Sequence, residues 1–441
     1  MTNEVIAPLI QPSVTLGGLS RWTLWITKGS LAILDQGLIA GSNFLIGILL
    51  ARWLLPEQYG SYAVAFAVFL LFAAFHQALL LEPQRIFGPS EHLNHLREYL
   101  GVLLCAHGVL ALAIAVLLAA SAWLIHLATG SNSLPGALAG MAVAAPCVLL
   151  MWLARGAFYV KLAPQYAVCG GIIYCAVVFS GMFLIYRLNM ASPFSAFLVM
   201  AFGALASSAV LLYLLSPVLN VRVGPPSWKE VAHQHWHYGR WVLASLVLNA
   251  VAGDIYYPLL STFSGIAAAG ELKALLNFYM LVAQTFSALA VFLLPYACRV
   301  RQQNGLPALK KLTWRIGALF GALALAYWIV LILLSKPLLK LFYGNRYIGL
   351  SSLVVWVAAA SLPWNLAVVP TITLRAVRSS ASIFVIYCAS STVAVLVGVP
   401  TTWIAGLRGA LWAMILSNTA ALAVAIFLVR KKLRAASEME L

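Results

Sequence analysis

Residues 31–83, LAILDQGLIAGSNFLIGILLARWLLPEQYGSYAVAFAVFLLFAAFHQALLLEP, hold two apolar runs of membrane length joined by a tight polar turn. A helix needs about 20 mostly apolar residues to cross a bilayer. Inside hydrocarbon the backbone polar groups must be paired within their own segment, so such runs fold as helices. The pattern recurs along the chain, giving twelve runs: 31–54, 61–82, 99–127, 136–158, 165–186, 194–216, 240–262, 272–296, 315–335, 349–372, 381–404 and 409–429. Gly, Pro, Asn, Ser or charge separates each from the next. The chain is 63% hydrophobic and 9% charged, against about 45–50% and about 25% in soluble domains. The fold class is therefore an all-α polytopic membrane protein of about 12 transmembrane helices.

An even number of spans puts both termini on one side. If that side is cytoplasmic, 20 of the 27 Lys and Arg fall in cytoplasmic connections, which is the positive-inside asymmetry and gives N-in, C-in. The formal charge of +16 is then a topology device, and no basic stretch interleaved with aromatics points to nucleic acid. The longest polar connection divides six helices from six. The organisation read from this is a cytoplasmic segment 1–29, an N-lobe 30–216, an amphipathic linker 217–239 containing Pro225–Pro226, a C-lobe 240–430 and a tail 431–441. Residues 1–29 lack an apolar core behind a basic start, so no cleaved signal peptide is expected. Weak similarity between the exits of helices 4 and 10 (RGAFYVKLAPQYAVCGGIIYC and LRAVRSSASIFVIYCAS) fits two parallel six-helix repeats. The six cysteines lie in or at the ends of apolar runs without a CxxC pair, and are read as buried thiols.

Ionisable groups at membrane depth are expensive and are candidates for function. Asp254, in NAVAGDIYYPLL between Gly253 and Pro258, reads as a carboxylate on a bent helix lining a cavity, a candidate for ion coupling; the bland alternative is a tilted helix that carries it to the interface. Asp35 is a second ion-coupling candidate, or an interfacial acid in the first turn of helix 1. Glu82 and Arg85 are spaced to form a structural ion pair. Gln36, Asn43, Gln77 and Asn249 are candidate hydrogen-bonding groups for a polar substrate, as are Asn277, Gln284 and Asn365, although helix packing uses such residues too. Tyr256, Tyr257, Phe278 and Tyr279 are placed to stack on sugar rings. His233, His235 and His237 lack the partners that zinc sites need. No metal site, cofactor, nucleotide loop or catalytic constellation is read from the chain. The external connections are short, which argues against a membrane enzyme.

The pattern D-Q-G-L-x-x-G-S-N-F, then A-R-x-L-x-P-E-x-Y-G-x-Y-A, then Q-A-L-x-x-E-P resembles the first two helices of Wzx-type lipid-linked-oligosaccharide flippases. These belong to the multidrug/oligosaccharidyl-lipid/polysaccharide (MOP) exporter superfamily. ARGAFYVKLAPQYAVCGGIIY resembles a further segment of that family. The resemblance implies a V-shaped, two-lobe bundle in the bacterial inner membrane that exports undecaprenyl-pyrophosphate-linked oligosaccharide units for exopolysaccharide or O-antigen by alternating access. It also implies membrane lipids, a polysaccharide polymerase and other assembly proteins as partners. Such a transporter must hold phosphates at the cytoplasmic face. Arg suits this because its planar fork matches phosphate. Arg155, Arg375 and Arg378, with Lys161, are the candidates there, and Arg52 is the candidate on the release side; plain positive-inside anchoring is the alternative for each. Two rival readings are a multidrug cation antiporter of the same superfamily and a membrane polysaccharide polymerase or ligase.

Overall fold

A computed structural model describes residues 18–218, 227–377 and 379–439. Residues 1–17, Pro225–Pro226 of the linker and Arg378 lie outside the described residues, as does the side chain of Cys298. Among the described residues the chain is helical throughout. The N-lobe contains α1 (Gly18–Trp53), α2 (Pro56–His76), α3 (Glu82–Ser90), α4 (Leu96–Thr129), α5 (Ser133–Val160), α6 (Pro164–Arg187) and α7 (Pro193–Leu215). The C-lobe contains α8 (Trp228–Asp254), α9 (Tyr256–Phe263), α10 (Ile266–Leu333), α11 (Ser335–Tyr343), α12 (Val354–Ala376), α13 (Ser380–Leu396) and α14 (Gly398–Met439). Eleven helical stretches are long and apolar enough to cross a membrane, and Ala381–Leu396 adds a shorter apolar helix. The twelve runs map onto these, because α10 breaks at Gly305 (φ 74°) and α14 at Gly406 (φ 53°), a backbone region that Gly enters without strain.

Each lobe packs mainly on itself, α5 against α7 and α4, and α12 against α10 and α14. The two lobes meet chiefly where α2 crosses α10. A large apolar cluster runs through both lobes and includes Tyr59 and Tyr62 of α2, Leu272 and Phe278 of α10, and Tyr343. Gly60 makes this approach possible, since a Cβ there would overlap the Ile266 carbonyl. The Asn277 amide donates to Tyr59 Oη at 3.2 Å and to Tyr343 Oη at 3.1 Å. Arg346 donates to the Leu54 carbonyl. These contacts close the external side. Toward the cytoplasmic side the apolar packing divides: one cluster holds Leu80, Tyr99, Leu153 and Leu211, and separate ones hold Leu374 with Ala421 and Leu309 with Ala376. The bundle is therefore joined outside and divided inside.

One helix belongs to both lobes. α8 begins within the segment read as a linker, with Ser227 and Glu230 forming a capping box. Its first turns pack on the N-lobe. Pro83 has no N–H to pair with the Leu79 carbonyl, and a π-turn spans Gln77–Leu81 just before it. The freed carbonyl accepts a hydrogen bond from His235 Nδ1 at 2.8 Å. That leaves His235 Nε2 to accept from Tyr99 Oη, also at 2.8 Å. Helical spacing turns His233 and His237 toward each other, with ring centroids 6.3 Å apart, and sends His235 the other way. Further along, Ser391 Oγ donates to the Leu248 carbonyl at 2.5 Å, and α8 packs on α13 of the C-lobe.

Three expectations change. Asp35 is not in the first turn of its helix, because α1 starts at Gly18. Lys273, the second residue of the run read over 272–296, lies deeper than that run places it, because α10 starts at Ile266 after Gly265 (φ 92°). Cys105 and Cys169 are exposed on the surface of their spans and are not buried.

Candidate functional site

The site lies where the hinge of α8–α9 and the first turns of α10 face α2. Pro258 cannot donate to the carbonyl of Asp254, four residues earlier, and the helix is interrupted at Ile255, whose own backbone (φ −57°, ψ −27°) stays in the helical region. The Gly253/Pro258 flank thus coincides with a helix interruption. Asp254 is half-buried there. It sits nine residues before the end of α9, about 13 Å along the helix at 1.5 Å per residue. Lys273, also half-buried, sits seven residues into α10, about 10 Å from its start. The two side chains act on each other electrostatically. They form neither of the two ion pairs found among the described residues, Arg85–Glu82 and Arg155–Asp35. The ammonium of Lys273 instead lies over the ring of Phe66 on α2, 4.9 Å from its centroid, a cation–π contact across the lobe interface. Tyr257 and Tyr279 lie within electrostatic reach of Asp254. Both are apolar-bodied rings with a polar tip, and Tyr257 is buried. An acid, an ammonium and aromatic rings thus come together at the interface of the lobes.

Asp35 has a different setting. It is fully buried in the N-lobe. Its Oδ2 accepts from Arg155 at 2.6 Å and from Tyr159 Oη at 2.5 Å. Asp35 Oδ1 and Arg155 Nε have no partner, and Gly171 leaves room beside Oδ1. Arg155 is therefore neutralised by Asp35 inside the lobe. Tyr159, which the sequence did not single out, completes the triad from the next turn of α5. Glu82 and Arg85 form the expected ion pair at 3.1 Å, on the surface. Arg375 is exposed at the end of α12, and Glu82 and Arg375 both lie within electrostatic reach of the Tyr238 hydroxyl on α8. That places Arg375 at the cytoplasmic mouth between the lobes. Lys161 is exposed after α5, where partial desolvation and the nearby Arg97 lower its pKa. Arg52 is exposed at the outer end of α1, and Gln36 is exposed midway along it. Asn43, Gln77 and Asn249 are half-buried, Gln77 opening the π-turn. Asn277 belongs to the external seal, and the fully buried amide of Asn365 has no hydrogen-bond partner.

The candidates thus separate into a paired group inside the N-lobe, an open group at the Asp254 hinge, and Arg375 at the mouth. Lys273 is the residue the sequence reading missed. The signal lay in Gly265, whose positive φ precedes a helix that starts six residues before the hydropathy run does.

A family model described as "Polysaccharide biosynthesis protein" matches residues 49–352. No curated protein sequence matches the chain. Several solved structures share the fold. An inward-facing multidrug resistance MATE family transporter of the MOP superfamily superposes with a TM-score of 0.77 at 13% identity, over 92% of this chain and 99% of that one. An outward-facing MATE family transporter gives 0.68 at 14% identity, over 94% and 96%. A MOP superfamily transporter from Pyrococcus furiosus, described as having a binding pocket of reversed polarity, gives 0.69 at 13% identity, over 93% and 96%.

Proposed function

The chain belongs to the polysaccharide biosynthesis protein family, and from that premise we propose that it carries lipid-linked oligosaccharide units, of the undecaprenyl-pyrophosphate kind, across the bacterial inner membrane by alternating access. That it is a multi-pass membrane protein with the fold of MOP-superfamily transporters is already given by its helices and its superpositions. The observation that carries the substrate reading is the open pair of Asp254 and Lys273. Lys273 donates to phosphate or sugar oxygens, Asp254 accepts from sugar hydroxyls, and Tyr257 and Tyr279 offer ring faces to pyranose rings. A site for organic cations calls for acid unopposed by a cation. Here the ammonium of Lys273 offsets the carboxylate, which disfavours the antiporter reading. Arg375 at the mouth suits first contact with the pyrophosphate, because a guanidinium matches phosphate oxygens two at a time. The seal at Gly60, Asn277 and Arg346 is the gate that must part for release outside. The protein acts as a carrier and not an enzyme, and it delivers its cargo to the polymerase and other assembly proteins.

The test follows labelled lipid-linked units in cells lacking the protein. Units are expected to accumulate on the cytoplasmic leaflet while surface polysaccharide is lost. Wild type should restore export, and Lys273→Ala and Asp254→Ala should each reduce it at least about tenfold, the loss of roughly one charge-assisted hydrogen bond. Normal surface polysaccharide with new sensitivity to cationic drugs would overturn the reading in favour of an antiporter. Accumulation on the outer leaflet would overturn it in favour of a polymerase.

A further inference from the structure

Residues 272–437 contain sixteen Lys and Arg and not one Asp or Glu. Between residues 240 and 437 the acids are Asp254 and Glu271, both toward the external side. Both ion pairs among the described residues are in the N-lobe. Several of these cations rim a cavity of about 1190 Å³ on the flank of the C-lobe. Its walls come from α10 beyond the Gly305 break, from α12 and from the end of α14. Lys310, Arg430 and Arg434 stand at the cytoplasmic end. Trp314, 59% exposed, stands beside them, a residue at home at the headgroup level. Leu366 and Ile426 continue the walls toward the membrane interior. Gly317 leaves open space at the base, where a Cβ would meet nothing within 4 Å.

A groove with cations at the leaflet surface and apolar walls below complements an amphiphile with an anionic head. Basic pockets between helices on the cytoplasmic side recognise such headgroups. We propose that this groove binds an anionic phospholipid of the cytoplasmic leaflet, with its phosphate between Lys310 and Arg430 and its acyl chains along α10, α12 and α14. The groove is built within one lobe, so the inference stands whether or not the transport reading does. A lipid held there would brace α14 against α10 and set its phosphate against Lys310 and Arg430.

The experiment titrates delipidated full-length protein with phosphatidylglycerol and with phosphatidylcholine, reading bound lipid by native mass spectrometry. Wild type should prefer phosphatidylglycerol. Lys310→Ala with Arg430→Ala should lower its affinity by roughly 30-fold, the loss expected from two cations near the leaflet. Lys310→Arg should retain it. Lys431→Ala with Lys432→Ala removes the same charge from the same helix end without touching the groove, and should leave binding within about threefold of wild type, since only diffuse attraction is lost. Equal losses in the two double variants would reduce the effect to general surface charge and overturn the proposal. So would the absence of a headgroup preference in wild type, or displacement of phosphatidylglycerol from the groove by polyprenyl phosphate at equal concentration.

Discussion

Each lobe carries an acid and a base at membrane depth, and the two lobes treat them in opposite ways. In the N-lobe, Asp35 and Arg155 are buried, 2.6 Å apart, with Tyr159 on the same carboxylate oxygen. In the C-lobe, Asp254 and Lys273 feel each other's charge without an ion pair, and Lys273 rests on a ring of the opposite lobe. A buried charge left without a partner is costly, while a bonded pair is internally satisfied. The closed pair therefore reads as a strut, and the open pair as two groups held in readiness for something else. What separates them is where the helices break. The N-lobe pair sits on continuous helices, α1 and α5, whereas Asp254 sits at an interruption and Lys273 just past a helix start.

The sharpest way to break this comparison is to unpair the strut. Arg155→Ala should destabilise the protein by about 3–5 kcal/mol, because Asp35 is left buried and uncompensated. Thermal unfolding in detergent would show it. Lys273→Ala removes no bonded partner and should lower the melting temperature far less; equal losses would mean the two pairs are alike after all. Tyr159→Phe takes one hydrogen bond from a charged oxygen and should cost about 1.5–3 kcal/mol in the same assay. The smallest effect sharpens the other side. Phe66→Leu removes the ring beneath Lys273 and should cost about 0.5–1 kcal/mol. That cost should vanish in the Lys273→Ala background if the ring acts through the ammonium.

The sequence exposed these features unevenly. Helix number, sidedness and the helix interruption beside Asp254 were legible because apolar length, positive charge and the Gly253/Pro258 flank are local signals. The Glu82–Arg85 pair was legible from its spacing of three. The Asp35–Arg155 pair was not, since its members lie 120 positions apart and each taken alone looks like an interfacial charge. Lys273 was hidden for another reason. Hydropathy placed the start of its helix at 272, whereas backbone geometry starts it at Ile266, so a residue two turns deep stood at the very edge of the run. His235 looked like part of a polar repeat. Its role depends on a carbonyl that Pro83 leaves unpaired in a different helix.

That histidine has a mechanical consequence. It pins the beginning of α8 to the N-lobe, while Ser391 and α13 hold the later turns of the same helix to the C-lobe. A rod fastened to two bodies at different points must absorb any change of angle between them along its own length. Pro258 removes one backbone hydrogen bond from this rod, at the carbonyl of Asp254. The helix is a crank whose elbow carries the charge: when the bodies rock, the carboxylate turns with them, and whatever holds the carboxylate resists the rocking.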